Sequence, residues 1–388
     1  MVIPRYWEKP NVPVTVDGDG LARPIRFAFD PIENCPLRAP DNPLFSFLGE
    51  RGDVQTDDKC NIVDPLASGV PWRTSFPKVK QSKYWREAEI AAEQLLQTVM
   101  QRDQDQQDAL PQMLSDSRRE AKIVEIIETA ATCALNLYPS ADIDRIRSLT
   151  EVIQFLFLHD DVTEYASTQN EETCIDSKSQ SVVAKQGLFA QLKEKITRVD
   201  PVNAPPLFQA MLDWAQFTRD HPASPNMQFK TFDEYVEYRK GDVGYGFFVN
   251  AVRLAGGLRL TPEDEQFIAP LEDLFVMHGA MTNDFFSFEK EVIEAELNGA
   301  FVVNAVRALE QTLHVSTKTA KTVLQHIIWD LETKIHDFYQ AALAAPTTSD
   351  QVIQYIRRMI ECLAGNWYFS ATTRRYNEPL VQRFEAHL

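Results

Sequence analysis

The chain has 388 residues, 44% of them hydrophobic, which suffices for one large domain or two ordinary ones with a sizeable core. Its 39 Lys and Arg against 56 Asp and Glu give a formal net charge of −17, which argues against nucleic acid and anionic membranes as partners. The five cysteines (Cys35, Cys60, Cys133, Cys174 and Cys362) are scattered without metal-site spacing and read as reduced thiols. The N-terminus carries no apolar signal segment, and no apolar run reaches the ~18 residues of a membrane span, so a cytoplasmic protein is expected.

Eleven of the 22 prolines lie between Pro4 and Pro77, which excludes long helices from that stretch. Aromatic residues are nonetheless frequent there, among them Phe27, Phe29, Phe45, Phe47 and Trp72, too many for a free tail. This composition predicts an irregular leader over residues 1–78, packed on a main domain over 79–388. From Ser82 onward the apolar periodicity is helical, with little strand signal. It predicts helices at about 82–106, 118–138, 142–165, 180–198, 205–220, 231–251, 262–290, 298–313, 316–344 and 349–371. Pro139, Pro222, Pro225, Pro262 and Pro346 fall between them. Thr231-Phe232-Asp233-Glu234 has the form of a capping box, and Thr261-Pro262 places proline in the first turn of the next helix. The fold class is all-α.

The stretch Leu149–Ala166 reads as a buried helix, yet it carries Asp160-Asp161-Val162-Thr163-Glu164 directly after Phe-Leu-His. Asp160 and Glu164 share one face, as do Asp161 and Glu164, and crowded carboxylates repel unless a cation lies among them. A hard divalent ion with oxygen ligands and waters fits that need; a frayed, solvated helix end is the alternative reading.

Within the 231–251 helix, Arg239-Lys240-Gly241-Asp242-Val243-Gly244-Tyr245-Gly246 places three glycines in six residues, which predicts a kink or break. No strand precedes it and the spacing is not that of a nucleotide loop. Close packing of helices through glycine is the alternative.

In the 262–290 helix, Asn283, Ser287 and Glu291 recur at i, i+4 and i+8, all offering oxygen from one face. The triad spans roughly 12 Å along an ideal helix, so convergence on one ion uses the N-terminal lean of the longer glutamate. Two oxygen-rich clusters on separate apolar helices are a far stronger signal than either alone.

Together these residues resemble the class I terpene cyclases, with wording closest to the fungal branch. DDVTE matches the family's aspartate-rich motif and NDFFSFEKE its Asn/Ser/Glu motif; Arg239 stands upstream of the second, and Arg375-Tyr376 matches the C-terminal Arg-Tyr pair. The resemblance covers about Ser82 to the C-terminus. It implies the class I terpenoid synthase helical barrel and three Mg²⁺ ions held by Asp160, Asp161 and Glu164 on one side and Asn283, Ser287 and Glu291 on the other. It further implies that Arg239 senses diphosphate, that Asp242 links it to a helix break at Val243, and that Lys290, Arg375 and Tyr376 contact diphosphate oxygens. An isoprenoid diphosphate is the implied substrate; a homodimer is left open.

The implied chemistry is consistent with the residue types. Ionising an allylic carbon–oxygen bond needs the leaving diphosphate neutralised, by Lewis-acid metal and fixed basic side chains. The resulting carbocation must be shielded from water, and aromatic faces attract it by up to about 2 kcal/mol. Phe157, Phe247, Phe248, Trp367 and Phe369 are candidates for the pocket, with plain core packing as the alternative for each. A prenyl chain-elongating enzyme would carry a second aspartate-rich motif in place of NDFFSFEKE. An HD-type phosphohydrolase needs a histidine upstream of His159, and His159 is the first in the chain. A helical scaffold without chemistry would have no reason to keep oxygen ligands in both motifs. The chain ends twelve residues after Tyr376, so no prenyltransferase domain is expected to follow, and farnesyl diphosphate (C15) with a sesquiterpene product is expected. The alternative is a C20 or C25 chain, as in the cyclase halves of fungal bifunctional enzymes.

Overall fold

The computed structural model describes residues 16–17, 22–25, 27–32, 35, 44–50, 58–106, 119–167, 175–224, 227–298 and 301–376. Among them, three short strands precede eleven α-helices. The strands β1 (Val16–Asp17), β2 (Cys60–Val63) and β3 (Val79–Ser82) form one antiparallel sheet in that order, with Val16 opposite Val63 and Cys60 opposite Ser82. The helices are α1 (Trp85–Gln106), α2 (Arg119–Leu137), α3 (Ile143–Ser167), α4 (Ile175–Val199), α5 (Ala204–Asp220) and α6 (Phe232–Asp242). They continue with α7 (Tyr245–Gly256), α8 (Pro262–Asn298), α9 (Ala305–Leu313), α10 (Thr317–Ala344) and α11 (Asp350–Thr372).

Local chemistry sets the helix starts. Thr231 accepts from the Glu234 amide at 3.2 Å, while the Glu234 carboxylate returns to the Lys230 amide at 2.7 Å, one residue earlier than in a standard capping box. At α8 the box closes reciprocally: Asp264 N donates to Thr261 Oγ1 at 3.1 Å, and Thr261 N donates to Asp264 Oδ2 at 3.0 Å. Helix α8 runs eight residues beyond the sequence expectation, to Asn298, so the whole Asn283–Glu291 triad sits inside one continuous helix. The expected 231–251 helix is broken in two.

The sheet is not foreseen by the sequence reading. Every residue of β2 and β3 is buried, so the alternation that marks a strand is missing. Their polar side chains find distant partners instead: Lys80 pairs with Glu361 at 3.0 Å, and Gln81 donates to Asn136 at 2.9 Å. The described part of the leader shares the core of the helices. Phe29 N donates to the Ala371 carbonyl at 2.9 Å, and the Trp72 ring lies 6.5 Å from Trp367 and 6.3 Å from Tyr368. Arg23 bridges Glu89 on α1 and Glu128 on α2, each at 2.8 Å.

Residues of α2, α3, α5, α6, α7, α8 and α11 line a largely apolar cavity. The approach of α11 to α2 is close enough to require glycine: a Cβ on Gly365 would lie 1.9 Å from the Asn136 carbonyl oxygen. Among the described residues no helix is long and apolar enough to cross a membrane.

Candidate active site

The break between α6 and α7 is where sequence and geometry meet first. Helix α6 ends at Asp242, Val243 caps it, and Gly244 turns the chain at φ 73° before α7 begins at Tyr245. An L-residue adopts that left-handed conformation reluctantly, so the sequence places glycine there. The alternative reading also holds in part. Gly241 is a packing glycine, whose added Cβ would lie 2.3 Å from the Phe217 ring. The break frees the Asp242 carbonyl, which Trp214 Nε1 on α5 satisfies at 2.8 Å.

Arg239, one turn before the break, is 11% exposed and no surface ion pair. Its Nε and Nη2 donate to Asp284 Oδ1 at 3.0 and 2.7 Å, Nη2 also reaches Asn283 Oδ1 at 2.9 Å, and Nη1 pairs with Asp242. Burial disfavours its charge, but the adjacent Asp284 holds the guanidinium above its ordinary range, so it stays ionised. Asp284 is fully buried and also accepts from the Tyr235 hydroxyl and from Ala305 N at 3.0 Å. Arg239, Asp242 and Asn283 are thus one hydrogen-bonded unit, joining the helix break to the first residue of the triad.

The rest of the triad lies further along α8. Ser287 donates to Glu291 Oε1, and Asn304 Nδ2 donates to Glu291 Oε2 at 3.2 Å. The Glu291 carboxyl is pushed up to about 7, first by burial and then by the charge of Asp284. A carboxylate this desolvated beside another, with an amide and a hydroxyl oxygen on the same face, is a donor set that fits a hard divalent cation. Asn283 Nδ2 donates to the Tyr376 hydroxyl at 2.6 Å, which ties the C-terminal Arg-Tyr pair to the triad. Burial pushes the Tyr376 phenol up to about 12, so it is a neutral hydroxyl whose own proton is free to donate.

The backbone of Asp160, Asp161 and Glu164 belongs to the final turns of α3, as the sequence reading expects. Their side chains lie outside the described residues. Lys290 is buried and pairs with Glu294 at 2.8 Å, and the Arg375 guanidinium lies 5.1 Å from the centre of the Phe157 ring.

Arg239, Asn283 and Tyr376 all border the cavity, whose volume is about 210 Å³. Asp242 and Val243 line it, and its aromatic wall comprises Phe157, Trp214, Phe247, Phe248, Phe275 and Phe369. Trp367 does not line it, which corrects the sequence reading. It is 1% exposed and packs against Phe285 at 6.0 Å and Phe286 at 5.2 Å. Phe369, two residues on along α11, faces the cavity in its place. Sequence reasoning missed Asp284, Asn304 and Trp214. Asp284 reads as one more motif acid, whereas Asn304 and Trp214 act from other elements and carry no local signal.

Comparison with known proteins gives the family of the chain. A family model described as terpene synthase family 2, C-terminal metal binding, matches residues 151–334. The chain is 34% identical to terpene cyclase 6 of Gibberella fujikuroi, over 92% of this chain and 95% of that one. It is 30% identical to terpene cyclase aneC of Aspergillus aculeatus, over 91% and 82% respectively. The crystal structure of aristolochene synthase from Penicillium roqueforti superposes with a TM-score of 0.57 at 20% identity, covering 76% of this chain and 97% of that one, a likeness of fold.

Proposed function

The chain belongs to the class I terpene synthases of fungal type and is a terpene cyclase acting on an isoprenoid diphosphate; from that premise we propose that it ionises and cyclises farnesyl diphosphate with Mg²⁺. The observation that carries this reading is the continuity of Tyr376, Asn283, Arg239 and Asp242 in the wall of a cavity otherwise rich in aromatic side chains. The polar lining residues are joined to one another by hydrogen bonds, as a diphosphate site needs, and the rest of the wall is mostly apolar and aromatic, as a carbocation needs.

In this reading Asn283, Ser287 and Glu291 hold divalent metal from α8, and Asp160, with Asp161 and Glu164, holds it from α3. Bound metal supplies Lewis-acid neutralisation of the leaving diphosphate. Arg239 presents its guanidinium to diphosphate oxygens while Asp284 fixes its orientation. The Tyr376 hydroxyl donates a further bond, and Arg375 and Lys290 add positive charge. Because Arg239 also grips Asp242, a shift of Arg239 toward diphosphate pulls on the α6–α7 break and on Val243 in the cavity wall. The apolar lining keeps water from the cation, and the faces of Phe157, Phe247 and Phe369 stabilise it.

The C15 substrate is supported by the aromatic crowding of the cavity wall, where Phe157, Phe247, Phe248, Phe275 and Phe369 leave less room for a further isoprene unit. A C20 substrate is the second reading. It is favoured by similarity to a cyclopiane-type diterpene synthase of Penicillium chrysogenum, 25% identical over 66% of this chain, although only 35% of that protein is matched. Incubation with the C10, C15, C20 and C25 diphosphates plus Mg²⁺, followed by mass spectrometry of the volatiles, tests the choice. Cyclic products from farnesyl diphosphate are expected. Clean cyclisation of geranylgeranyl diphosphate, with farnesyl diphosphate left intact, would overturn the C15 assignment.

A further inference from the structure

Gly279 lies inside α8, one turn before Asn283 and on the same face. Glycine within a helix is less stable than alanine and is usually explained by a neighbour too close for a side chain. Gly365 and Gly241 have such neighbours. Gly279 has none: a Cβ built on it meets nothing within 4 Å. Of its neighbours, His278 is fully buried, and Ala280, also buried, borders the cavity together with Gly279. The open volume beside it is therefore cavity, and the missing side chain widens it one helical turn from Asn283.

Across the wall, Asn366 is the single residue from Glu361 to Ala371 that is not fully buried, and it too borders the cavity. Its Nδ2 donates to the Gly279 carbonyl at 3.3 Å. A carbonyl only accepts, so this contact fixes which end of the amide faces it and leaves Oδ1 toward the cavity. Among the described residues Oδ1 receives no hydrogen bond. A fixed amide oxygen in a wall of mostly apolar groups directs the negative end of a dipole into a space of low dielectric, where it acts strongly on a cation.

We propose that Gly279 and Asn366 form the specificity element of the cavity. Gly279 sets the isoprenoid length that fits in the cavity, and Asn366 Oδ1 selects which carbon carries the positive charge before the cation is quenched. No bond forms to Oδ1; it acts through its dipole alone. This inference rests on the terpene cyclase reading.

Two substitutions in the full chain separate space from dipole, read with farnesyl and geranylgeranyl diphosphates in competition and with gas chromatography of the products. Gly279→Ala adds a methyl group to the cavity and keeps the amide. Its kcat/KM ratio for C15 over C20 should rise about tenfold or more, the scale set by one carbon in an apolar pocket, with a melting temperature unchanged or higher. Asn366→Leu keeps the bulk and removes the dipole. It should preserve the C15-to-C20 ratio but spread the products from the major isomer to several. Both readouts are ratios, so they do not depend on how much of each variant folds, and Asn366→Ala is read in the same way. Unchanged chain-length preference in Gly279→Ala, or a wild-type product profile in Asn366→Leu and Asn366→Ala, would overturn the proposal. Failure of the wild-type chain to release diphosphate from any prenyl diphosphate would instead overturn the reading beneath it.

Discussion

Arg239 and Asp284 join two helices through a single carboxylate oxygen: Nε donates to Asp284 Oδ1 at 3.0 Å and Nη2 to the same atom at 2.7 Å. The remaining Arg239 contacts, to Asn283 and Asp242, are then aimed by a side chain whose orientation Asp284 sets through two nitrogens. Lysine keeps the charge at this position but loses the planar fork. Arg239→Lys is therefore expected to lower kcat/KM by about 100-fold or more, the scale of losing one placed electrostatic donor. Asp284→Ala leaves buried Arg239 with Asp242 as its remaining carboxylate partner and the buried Tyr235 hydroxyl without its acceptor, and should cost about 3–5 kcal/mol of stability in urea unfolding. A near-native rate for Arg239→Lys would return Arg239 to a purely structural ion pair.

The raised Glu291 carboxyl gives a pH dependence with a definite sign. In the metal-free protein Glu291 titrates at about 7, above its ordinary value of 4.5. Between those values the folded chain holds a proton that the unfolded chain has lost. This contribution to stability is full below the unfolded value and is lost as pH rises through about 7. Metal needs the carboxylate, so the same proton competes with it. Apparent Mg²⁺ affinity, measured by calorimetry between about pH 6 and pH 8, should rise with pH and flatten above the Glu291 titration. Glu291→Gln should abolish the slope. An equally steep slope in Glu291→Gln would assign the dependence to another group.

Gly244 is the residue whose φ of 73° allows the break. Alanine there is strained by about 1–2 kcal/mol, and its Cβ would lie 3.3 Å from the Trp214 ring. Gly244→Ala should lower stability by that amount and displace Trp214 from the Asp242 carbonyl. Turnover should fall more than stability alone explains, because Val243 and Asp242 both border the cavity. Circular dichroism melts alongside product formation check this; equal stability and full turnover would mean the break tolerates a side chain.

The parts of this site legible in the sequence are those whose chemistry is written within one helix. Asn283, Ser287 and Glu291 announce a shared face by their spacing, and the glycines after Arg239 announce the break. Asp284 was not legible, because its neighbour along α8 has the same polar character and only the third dimension shows that Asp284 points at Arg239 and Tyr235. Asn304 reaches the triad from the N-cap of α9, a separate element, so no short spacing reveals it. Trp367 and Phe369 are both apolar residues of α11, and composition alone does not say which faces the cavity. The strands Cys60–Val63 and Val79–Ser82 were hidden for a related reason: their polar side chains are buried and their partners, Glu361 and Asn136, lie far away in sequence.

The most direct measurement is the rate of diphosphate release from farnesyl diphosphate as Mg²⁺ is titrated, in the wild-type chain and in Ser287→Ala, Glu291→Ala and Asp160→Asn. Release should require the metal, stop on chelation, and fall by about 100-fold or more in each variant while circular dichroism melts of Ser287→Ala and Glu291→Ala remain close to wild type. Release that persists under chelation, or full activity in both Ser287→Ala and Glu291→Ala, would contradict a metal-assisted ionisation held by the α8 triad.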